Sequence, residues 1–427
     1  MPISRRDFLA AGAGALAASR LPLHAQDDDG LIVHEWGVVT IALDSTAWGN
    51  VRTAGAKGKG AAEMTAGVPA FVQSWEAIVG AEIINWKDAP QAVDKPIVYF
   101  YAKKKAKVSF KVSVPAGRPK LWWPHVTTFA PQFEAPRHFY NDGDPVPKTQ
   151  DIKPEKGLVE WRDLVLDPDA TLDKPVDGWW TAARETDATP IRCTNGPFGN
   201  DYGRGGLQRI NQGGRLAPRG PEHRERFLYY DALTPVAHGI TVAWTKDGVT
   251  VTNRDHAKLP FVAAIRVRKG EAACNSAADL EKGKSVTLKP TKDDVPLTEA
   301  LIKAGLYEKE AVSLMKIWRD EWFAIDGARV LAVLPRQFYD TLLPAEVTPA
   351  PKEFTRVLIA QLEALDPEME ADVLAAIRRL GSDSLEERDD AMKLLRHYGP
   401  RAERVVRAAA AKETEAEIKA RLMELLK

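Results

Sequence analysis

Cysteine and long apolar runs are both scarce in this sequence. The chain of 427 residues has two cysteines, Cys193 and Cys274, which are too few for a disulfide framework or a cysteine-based metal site. In an oxidising compartment the two could pair with each other. No segment approaches the roughly 18 uninterrupted apolar residues that a membrane-spanning helix needs. The sequence therefore predicts no integral membrane segment.

An excess of charge of either sign is missing as well. There are 59 Lys+Arg and 59 Asp+Glu. Removal of residues 1–25, which contain three Arg and one Asp, would leave a net charge of −2. A chain with so little net charge has no overall field that attracts nucleic acid or an anionic membrane. We therefore expect no nucleic-acid partner.

The local motifs that carry common enzyme mechanisms are absent too. The sequence contains no HExxH, CxxC or GxSxG motif, and its eight histidines are scattered. The glycine- and arginine-rich stretch 195–220 lacks the GxxxxGK[ST] spacing of a phosphate loop, so we predict a surface loop there. These absences predict no metal ion and no cofactor, and they leave open whether the protein is an enzyme.

The first 25 residues are typical of an export signal. Arg5 and Arg6 precede a Phe-Leu pair by one residue, and a weakly apolar stretch rich in Ala and Gly follows. This order resembles a twin-arginine signal, in which a small residue such as Ala25 marks the cleavage site. The sequence therefore predicts twin-arginine export of a soluble protein that is periplasmic or secreted.

The segment LIVHEWGVVTIAL, residues 31–43, is an almost unbroken β-favouring run. Successive side chains of a strand point to opposite faces of the sheet. One face carries Leu31, Val33, Glu35, Val39, Ile41 and Leu43, and the other carries Ile32, His34, Trp36, Val38, Thr40 and Ala42. Both sets are mainly apolar, which predicts a central strand that is covered on both sides.

His34 and Glu35 point to opposite faces of this strand, so they cannot form a local acid–base pair. A buried carboxylate is costly unless it is paired and hydrogen-bonded. We therefore expect Glu35 to meet an arginine or several backbone N–H groups, with Arg184 as the first candidate and Arg319 as the second. Two interpretations stay open: a structural ion pair beside a core histidine, or a catalytic or ligand-binding role of either residue, with His34, Glu35 and Arg184 as the candidate catalytic residues.

Twelve tryptophans are many for a chain of this length, and two adjacent pairs of them favour a binding function. Trp122 and Trp123, and Trp179 and Trp180, lie in or beside predicted strands. One member of each pair can then pack inside while the other lies on the surface, where aromatic rings form platforms for sugars or apolar chains. The alternative is that these rings fill the core between two sheets.

The order of β and helical patterns predicts an α+β fold with two antiparallel β-rich, sandwich-like halves braced by helices. After the signal peptide at 1–25, the first half covers residues 26–150. The second half covers 151–350, and its bracing helices begin near Thr298. A small all-helical C-terminal tail covers 351–427, and we predict that 351–365 is helical.

The tail from about residue 366 is rich in charge and contains no tryptophan. Gly381 and Gly399 fall where helices should end, and Ser384 with Glu387 forms a capping-box pattern. These features predict three or four short amphipathic helices. They resemble a degenerate HEAT-type repeat, which implies a cap or a module that docks onto another protein.

Five stretches carry a further resemblance over about residues 31–365. They are VHEWG (33–37), KPIVYFY (95–101), ARETDA (183–188), RFLYY (226–230) and WRDEWF (318–323). In this order they resemble a family of uncharacterised exported bacterial proteins known by its HEWG stretch. Residues 38–40, Val-Val-Thr, depart from the Thr-Phe-Thr that the family pattern has after HEWG. The resemblance implies export, but it brings no established activity and no catalytic residue.

These observations favour an exported, non-catalytic binding or scaffolding protein with a glycan or protein partner. The alternative is an extracytoplasmic hydrolase with a polar site near His34 and Glu35. A concave pocket that holds either residue with two further ionisable groups would favour the hydrolase. Both side chains dry and paired would favour the binding protein.

Overall fold

The HEWG segment forms strand β1, Ile32–Ala42, in the interior of a nine-stranded sheet of the computed structural model. The structure describes residues 30–43, 72–74, 91–130, 156–174, 178–194, 222–292 and 294–426. The predicted signal at 1–25 and the predicted loop at 195–220 lie outside these residues. Within the described residues, no helix combines the length and the apolar character needed to cross a membrane.

The other described strands follow in chain order. They are β2 (Gln73–Ser74), β3 (Gln91–Tyr101), β4 (Ala106–Val114), β5 (Arg118–Trp123), β6 (Thr128–Ala130), β7 (Gly157–Leu166), β8 (Ile191–Thr194), β9 (Glu222–Glu225), β10 (Phe227–Thr234), β11 (Ile240–Thr245), β12 (Gly248–Asn253), β13 (Lys258–Arg268), β14 (Glu271–Glu281), β15 (Ser285–Leu288), β16 (Gly327–Leu334), β17 (Ala345–Thr348) and β18 (Glu353–Ala364).

The described helices lie mostly in the last third of the chain. They are α1 (Trp179–Ala183), α2 (Leu297–Lys303), α3 (Glu308–Phe323), α4 (Arg336–Leu342), α5 (Pro367–Arg379), α6 (Leu385–Tyr398), α7 (Glu403–Lys412) and α8 (Ala416–Leu425). A 3₁₀ turn, Gly399–Ala402, directly precedes α7.

The nine-stranded sheet has the strand order β14-β13-β16-β18-β1-β3-β10-β5-β2. Strand β1 pairs in parallel with β18 and antiparallel with β3. The other described neighbours in this sheet are antiparallel. Strands β4, β6–β9 and β17 form a six-stranded sheet, and β11, β12 and β15 form a third sheet. Parallel pairing of β1 with β18 brings together two segments that are far apart in the sequence.

Different structures cover the two faces of the nine-stranded sheet. On the face that carries Glu35, apolar side chains of the two smaller sheets pack against Val33, Val39 and Ile41 of β1. On the face that carries His34, helices α1, α2 and α3 pack around Trp36. The predicted alternation and the predicted central position of this strand are therefore confirmed, since every residue from 33 to 42 is buried.

The chain is α+β, with several antiparallel sheets, helices that brace them and a C-terminal helical stretch, as predicted. Strands from either side of residue 150 lie in the same sheets. Strand β10 lies between β3 and β5 in the large sheet, and β7 lies beside β4 in the six-stranded sheet. The two predicted β-rich halves thus contribute strands to common sheets.

Two local predictions of secondary structure are wrong. The stretch 351–365 contains strand β18, because its apolar run fits a buried strand as well as a helix and the place beside β1 decides the outcome. Trp179 and Trp180 begin helix α1 instead of lying in or beside a strand.

Helices α5 to α8 confirm the short helices predicted for the tail from about residue 366. Helix α6 begins after Ser384, whose side chain accepts a hydrogen bond from the Glu387 backbone N–H at 3.4 Å. It ends at Gly399, where φ is 53° and glycine is favoured. The apolar core of these helices also includes Ala328 of β16 and contacts the ring of Trp244. The tail therefore packs directly on the β-sheets.

Candidate functional site

Glu35 is the centre of a buried polar network on one face of β1. Parallel pairing places Arg356 of β18 next to Glu35, and Arg356 Nε donates a hydrogen bond to Glu35 Oε2 at 2.6 Å. The phenols of Tyr230 and Tyr339 both donate to Glu35 Oε1. Arg356 Nη1 also donates to Asp340 Oδ1 at 2.9 Å. The carboxylate thus receives three hydrogen bonds from three different elements: β18, β10 and α4.

The two tyrosines of this network remain hydrogen-bond donors at neutral pH. Burial and the negative charge of Glu35 raise the pKa of Tyr230 and of Tyr339 well above the ordinary value of 10.0. The guanidinium of Arg356 also lies 4.1 Å from the centroid of the Tyr339 ring, as in a cation–π contact. The side chains of Glu35 and Arg356 are fully buried, so this network holds strands and helix together in a dry interior.

Both predicted partners of Glu35 are wrong. Arg184, which follows α1, instead donates through Nε to Glu225 Oε2 at 2.6 Å and through Nη2 to Glu225 Oε1. Trp180 Nε1 donates to the same carboxylate at 2.8 Å. Burial raises the pKa of Glu225, and these hydrogen bonds oppose the shift. Arg319 lies exposed on α3. The structure therefore does not bring Arg184 together with His34 and Glu35 in one site.

His34 belongs to a second network, on the opposite face of β1. Its Nδ1 lies 2.8 Å from Glu310 Oε2 on α3. The same carboxylate accepts a hydrogen bond from the Tyr101 phenol at 2.7 Å and one from the Tyr307 backbone N–H at 2.7 Å. Because carboxylate oxygens accept hydrogen bonds, the tautomer that fits this contact carries its hydrogen on Nδ1, and the His34 Nδ1–H donates a hydrogen bond to Glu310. His34 and Glu310 are both completely buried.

The second ring nitrogen of His34 is less well satisfied. Nε2 is buried and has no hydrogen-bond partner among the described residues, although it lies 3.6 Å from Glu353 Oε1. The Tyr307 ring packs 4.4 Å from the imidazole centroid and is 41% exposed. A carboxylate-oriented histidine with an open Nε2 has the arrangement of a general base, but here solvent does not reach the ring.

The predicted platform, with one tryptophan of each pair on the surface, is wrong for Trp122 and Trp123, which both fill the core as in the alternative interpretation. Trp122 and Trp123 are fully buried on opposite faces of β5, one in each of the two main cores. Trp180 is also fully buried and lies edge-on to Trp123, with ring centroids 5.7 Å apart. Trp179 is half-buried and packs against Tyr229 at 5.3 Å. Both faces of this sheet are covered, so adjacent tryptophans fill two cores instead of one core and a surface.

Asp94 and Asp231 form a pair of buried carboxylates near the bulged middle of the sheet. The strand register shifts beside both of them, and Asp231 Oδ1 accepts a hydrogen bond from the Lys95 backbone N–H at 2.7 Å. Lys95 itself has a positive φ of 49°. Burial, and next the charge of Asp94, raise the pKa of Asp231 above its ordinary value of 3.8. The hydrogen bond from Lys95 holds the bulge in β3 against β10, and the burial of Asp231 beside Asp94 makes its carboxylate easier to protonate.

A cleft lies where the β-sheets meet the helical tail, and we refer to it as the tail cleft. It has a volume of about 180 Å³. Its lining residues are Leu43, Val242, Trp244, Ala364, Leu365, Pro367, Glu370, Arg401 and Arg404. One aromatic ring, two arginines and one carboxylate thus face a space smaller than the roughly 300–1,000 Å³ of pockets that bury drug-sized ligands.

The charged walls of the tail cleft are held in place by different means. Three N–H groups of Arg401 donate to the backbone carbonyl oxygens of Asp326, His397 and Tyr398. Its side chain is only 9% exposed, and the one described carboxylate within ion-pair distance, Glu363, is 3.8 Å away. Burial is the main cause that lowers the pKa of Arg401. A fixed guanidinium with little compensating charge therefore stands at this wall.

Trp244 and Arg404 complete the cleft. The guanidinium of Arg266 lies 5.3 Å from the Trp244 ring centroid and fixes the half-buried indole. The Trp244 Nε1–H is buried and has no acceptor among the described residues. Arg404 is half-exposed and pairs with Glu370 at 3.0 Å. The cleft thus combines the aromatic ring of Trp244 with the fixed guanidinium of Arg401 and the more exposed guanidinium of Arg404.

Comparisons with known proteins add no candidate function. No family model, no curated protein and no solved structure matches this chain. Within the described ranges, no three His, Cys, Asp or Glu side chains converge as a metal ion would require. The candidate site therefore has to be judged from its own geometry.

Sequence reasoning missed several residues that shape these sites. Glu310 had a usable signal, because it lies four residues before Leu314 and eight before Trp318, a helical spacing that places it on the same apolar face of α3. A carboxylate at that position needs a buried partner. Arg356 had no such signal once its segment was interpreted as a helix. Nothing in the sequence around Trp244 marks it as part of a cleft.

Proposed function

We propose that the protein is an exported, non-catalytic binding protein that holds a glycan in the tail cleft. One observation carries this proposal: the indole of Trp244 and the fixed, weakly compensated guanidinium of Arg401 line the same cleft. An amphipathic aromatic ring together with a few preorganised polar donors is how proteins commonly hold small polar ligands. The small volume of the cleft suits a single ring of a glycan better than a folded protein surface.

The condition of the HEWG strand supports the non-catalytic part of the proposal. Glu35 is dry and fully hydrogen-bonded, and His34 is dry and paired with Glu310 through Nδ1. Catalytic groups need to reach a substrate within hydrogen-bond distance. These two side chains instead connect β1 to the layers on either side, which is a structural task.

A glycan-binding screen of the purified mature protein tests this function. We expect binding that is weakened by Trp244→Phe and by Arg404→Ala. Arg407→Ala is the matched control, because Arg407 lies on the same helix, is 55% exposed against 52% for Arg404, and also pairs with a glutamate. If no glycan binds, or if Arg404→Ala and Arg407→Ala act alike on every bound glycan, the proposed function is wrong.

Export is part of the same proposal, and it is supported by the sequence alone. The twin-arginine pattern and the resemblance to exported HEWG proteins both favour it. Replacement of Arg5 and Arg6 by lysine should retain the precursor in the cytoplasm, since the arginine pair is the recognised feature. Cell fractionation of the wild type and the double variant measures this, and unchanged export of the variant would refute the twin-arginine assignment.

A second candidate function is an extracytoplasmic hydrolase. It is favoured by His34 Nε2, which has no hydrogen-bond partner among the described residues. In this alternative, Glu310 orients the imidazole and Nε2 accepts a proton from an attacking water molecule. A screen with chromogenic esters and glycosides tests it against His34→Gln. Activity that is lost in His34→Gln while the melting temperature is kept would favour the hydrolase over the binding protein.

A further inference from the structure

The charges around the tail cleft point to the class of ligand. Among the cleft-lining residues, Arg401 and Arg404 are cationic, and Glu370 is the one carboxylate. Glu370 is already paired with Arg404 at 3.0 Å. The charge of Arg401 is therefore the part of this lining that has the weakest compensation.

The hydrogen-bonding capacity of Arg401 leads to the same conclusion. A guanidinium has five N–H groups, and three of those on Arg401 are used by backbone carbonyl oxygens. The distance of 3.8 Å to Glu363 is too long for a hydrogen bond. A second buried guanidinium, Arg329, also lies close enough to lower the pKa of Arg401. Glu363 accepts its close hydrogen bond from Arg329 Nε, at 2.7 Å, so an added carboxylate would accept from the remaining donors of Arg401 and add negative charge beside it.

We propose that the tail cleft binds a carboxylated sugar, such as a uronic acid residue of an acidic glycan. This inference rests on the proposed glycan-binding function and deepens it. The sugar ring lies against the wall formed by Trp244, and the sugar carboxylate faces Arg401 and Arg404. A carboxylate on a planar guanidinium forms charge-assisted hydrogen bonds, which are stronger than those of a neutral hydroxyl.

Ligand-detected NMR titrations of the full mature protein test this proposal with three probes at matched ionic strength. The probes are sodium D-glucuronate, D-glucose and sodium acetate, which separate the ring from the carboxylate. We expect D-glucuronate to bind about tenfold more tightly than D-glucose, or better, from the added charge-assisted hydrogen bonds. Acetate should bind more weakly than D-glucuronate because it lacks the ring.

Three variants locate the binding. Arg404→Ala should reduce the preference for D-glucuronate over D-glucose, and Arg407→Ala should leave it unchanged. Arg401→Lys keeps the charge but loses the planar fork, so it should reduce the same preference in protein that still melts cooperatively. If Arg401→Lys does not fold, the comparison of Arg404→Ala with Arg407→Ala decides the location.

The possible failures are distinguishable from one another. Equal affinity for D-glucose and D-glucuronate would overturn the carboxylated-sugar proposal and leave glycan binding in place. Acetate that binds as tightly as D-glucuronate would show an anion site without sugar recognition, which also overturns it. If neither sugar binds, the carboxylated-sugar proposal is wrong, and the glycan screen then decides the broader function separately.

Discussion

The HEWG strand and the tail cleft both gather charged side chains, but they satisfy those charges to different degrees. Around β1, Glu35 accepts hydrogen bonds from Arg356, Tyr230 and Tyr339 in a site closed to solvent. In the tail cleft, Arg401 uses three of its donors on backbone carbonyl oxygens and is 3.8 Å from the one described carboxylate in range. The first arrangement is complete by itself, whereas the second has capacity for a ligand.

The degree to which the charges are compensated suggests different roles for the two regions. A saturated ion pair in a dry core stabilises the fold only as long as both partners are present, and removal of one leaves an uncompensated charge. A weakly compensated guanidinium at the edge of a cleft gains from an added anion. Under the proposed function, the HEWG segment is therefore structural, although it is the richest in chemically suggestive residues, and the candidate binding residues lie in stretches without a motif.

The largest expected effect concerns the buried ion pair. Glu35→Ala should lower the free energy of unfolding by roughly 3–5 kcal/mol, because it leaves Arg356 buried with only the partly exposed Asp340 as a counter-charge. Glu35→Gln should cost less, since its amide oxygen can still accept from the two tyrosine phenols. Urea titrations of the purified variants measure both values.

A double-mutant cycle then tests whether the two residues act as a pair. The combined variant Glu35→Ala with Arg356→Ala should lose less stability than the sum of the two single variants, since no lone charge remains. The matched comparison is Glu35→Ala with Arg184→Ala, where the losses should add. Additive losses for Glu35 and Arg356 would contradict the pairing.

A smaller effect is expected on the opposite face of β1. Glu310→Ala removes the acceptor of His34 Nδ1, Tyr101 and the Tyr307 backbone N–H, and it should cost about 1–3 kcal/mol of stability through unsatisfied buried donors. Glu310→Gln keeps one acceptor oxygen and should cost less. Thermal melts rank the two variants. A Glu310→Ala variant as stable as the wild type would show that this network contributes nothing to the fold.

The smallest effect concerns pH. The pKa of Asp231 is raised in the folded protein, so the folded state holds this proton more tightly than the unfolded chain. The contribution of Asp231 to stability is therefore fully present below its ordinary pKa near 3.8 and is lost as the pH rises through the raised value. Asp231→Asn should gain stability relative to the wild type as the pH rises from 4 to 8. A difference that is constant over that range would contradict the assignment.

The local period of the HEWG strand could be predicted, because alternation along a strand depends only on neighbouring residues. From this alternation one predicts that His34 and Glu35 lie on opposite faces and that both faces of the strand are buried. The partner of Glu35 could not be predicted in the same way. Arg356 reaches Glu35 through parallel pairing of strands about 320 positions apart in the sequence. Parallel strands are not joined by a hairpin, so no local turn pattern predicts this pairing.

The tail shows the same contrast between local and distant information. Its helix ends at Ser384 and Gly399 follow from capping rules that act within a few residues. The cleft beside it needs Trp244 from a β-hairpin and Arg401 from the turn before α7, which only the packed tail brings together. The adjacent tryptophans are conspicuous in the sequence but three of the four are fully buried, whereas no local pattern marks Trp244.

One comparison tests most directly the proposal that the HEWG strand stabilises the fold while the tail cleft binds the ligand. Titrations with sodium D-glucuronate and thermal melts are made on the wild type, Glu35→Gln and Arg404→Ala, with the titrations well below every melting temperature. Glu35→Gln should lower the melting temperature and leave the Kd unchanged, whereas Arg404→Ala should raise the Kd and leave the melting temperature nearly unchanged. Loss of binding in Glu35→Gln, with binding kept in Arg404→Ala, would contradict the separation.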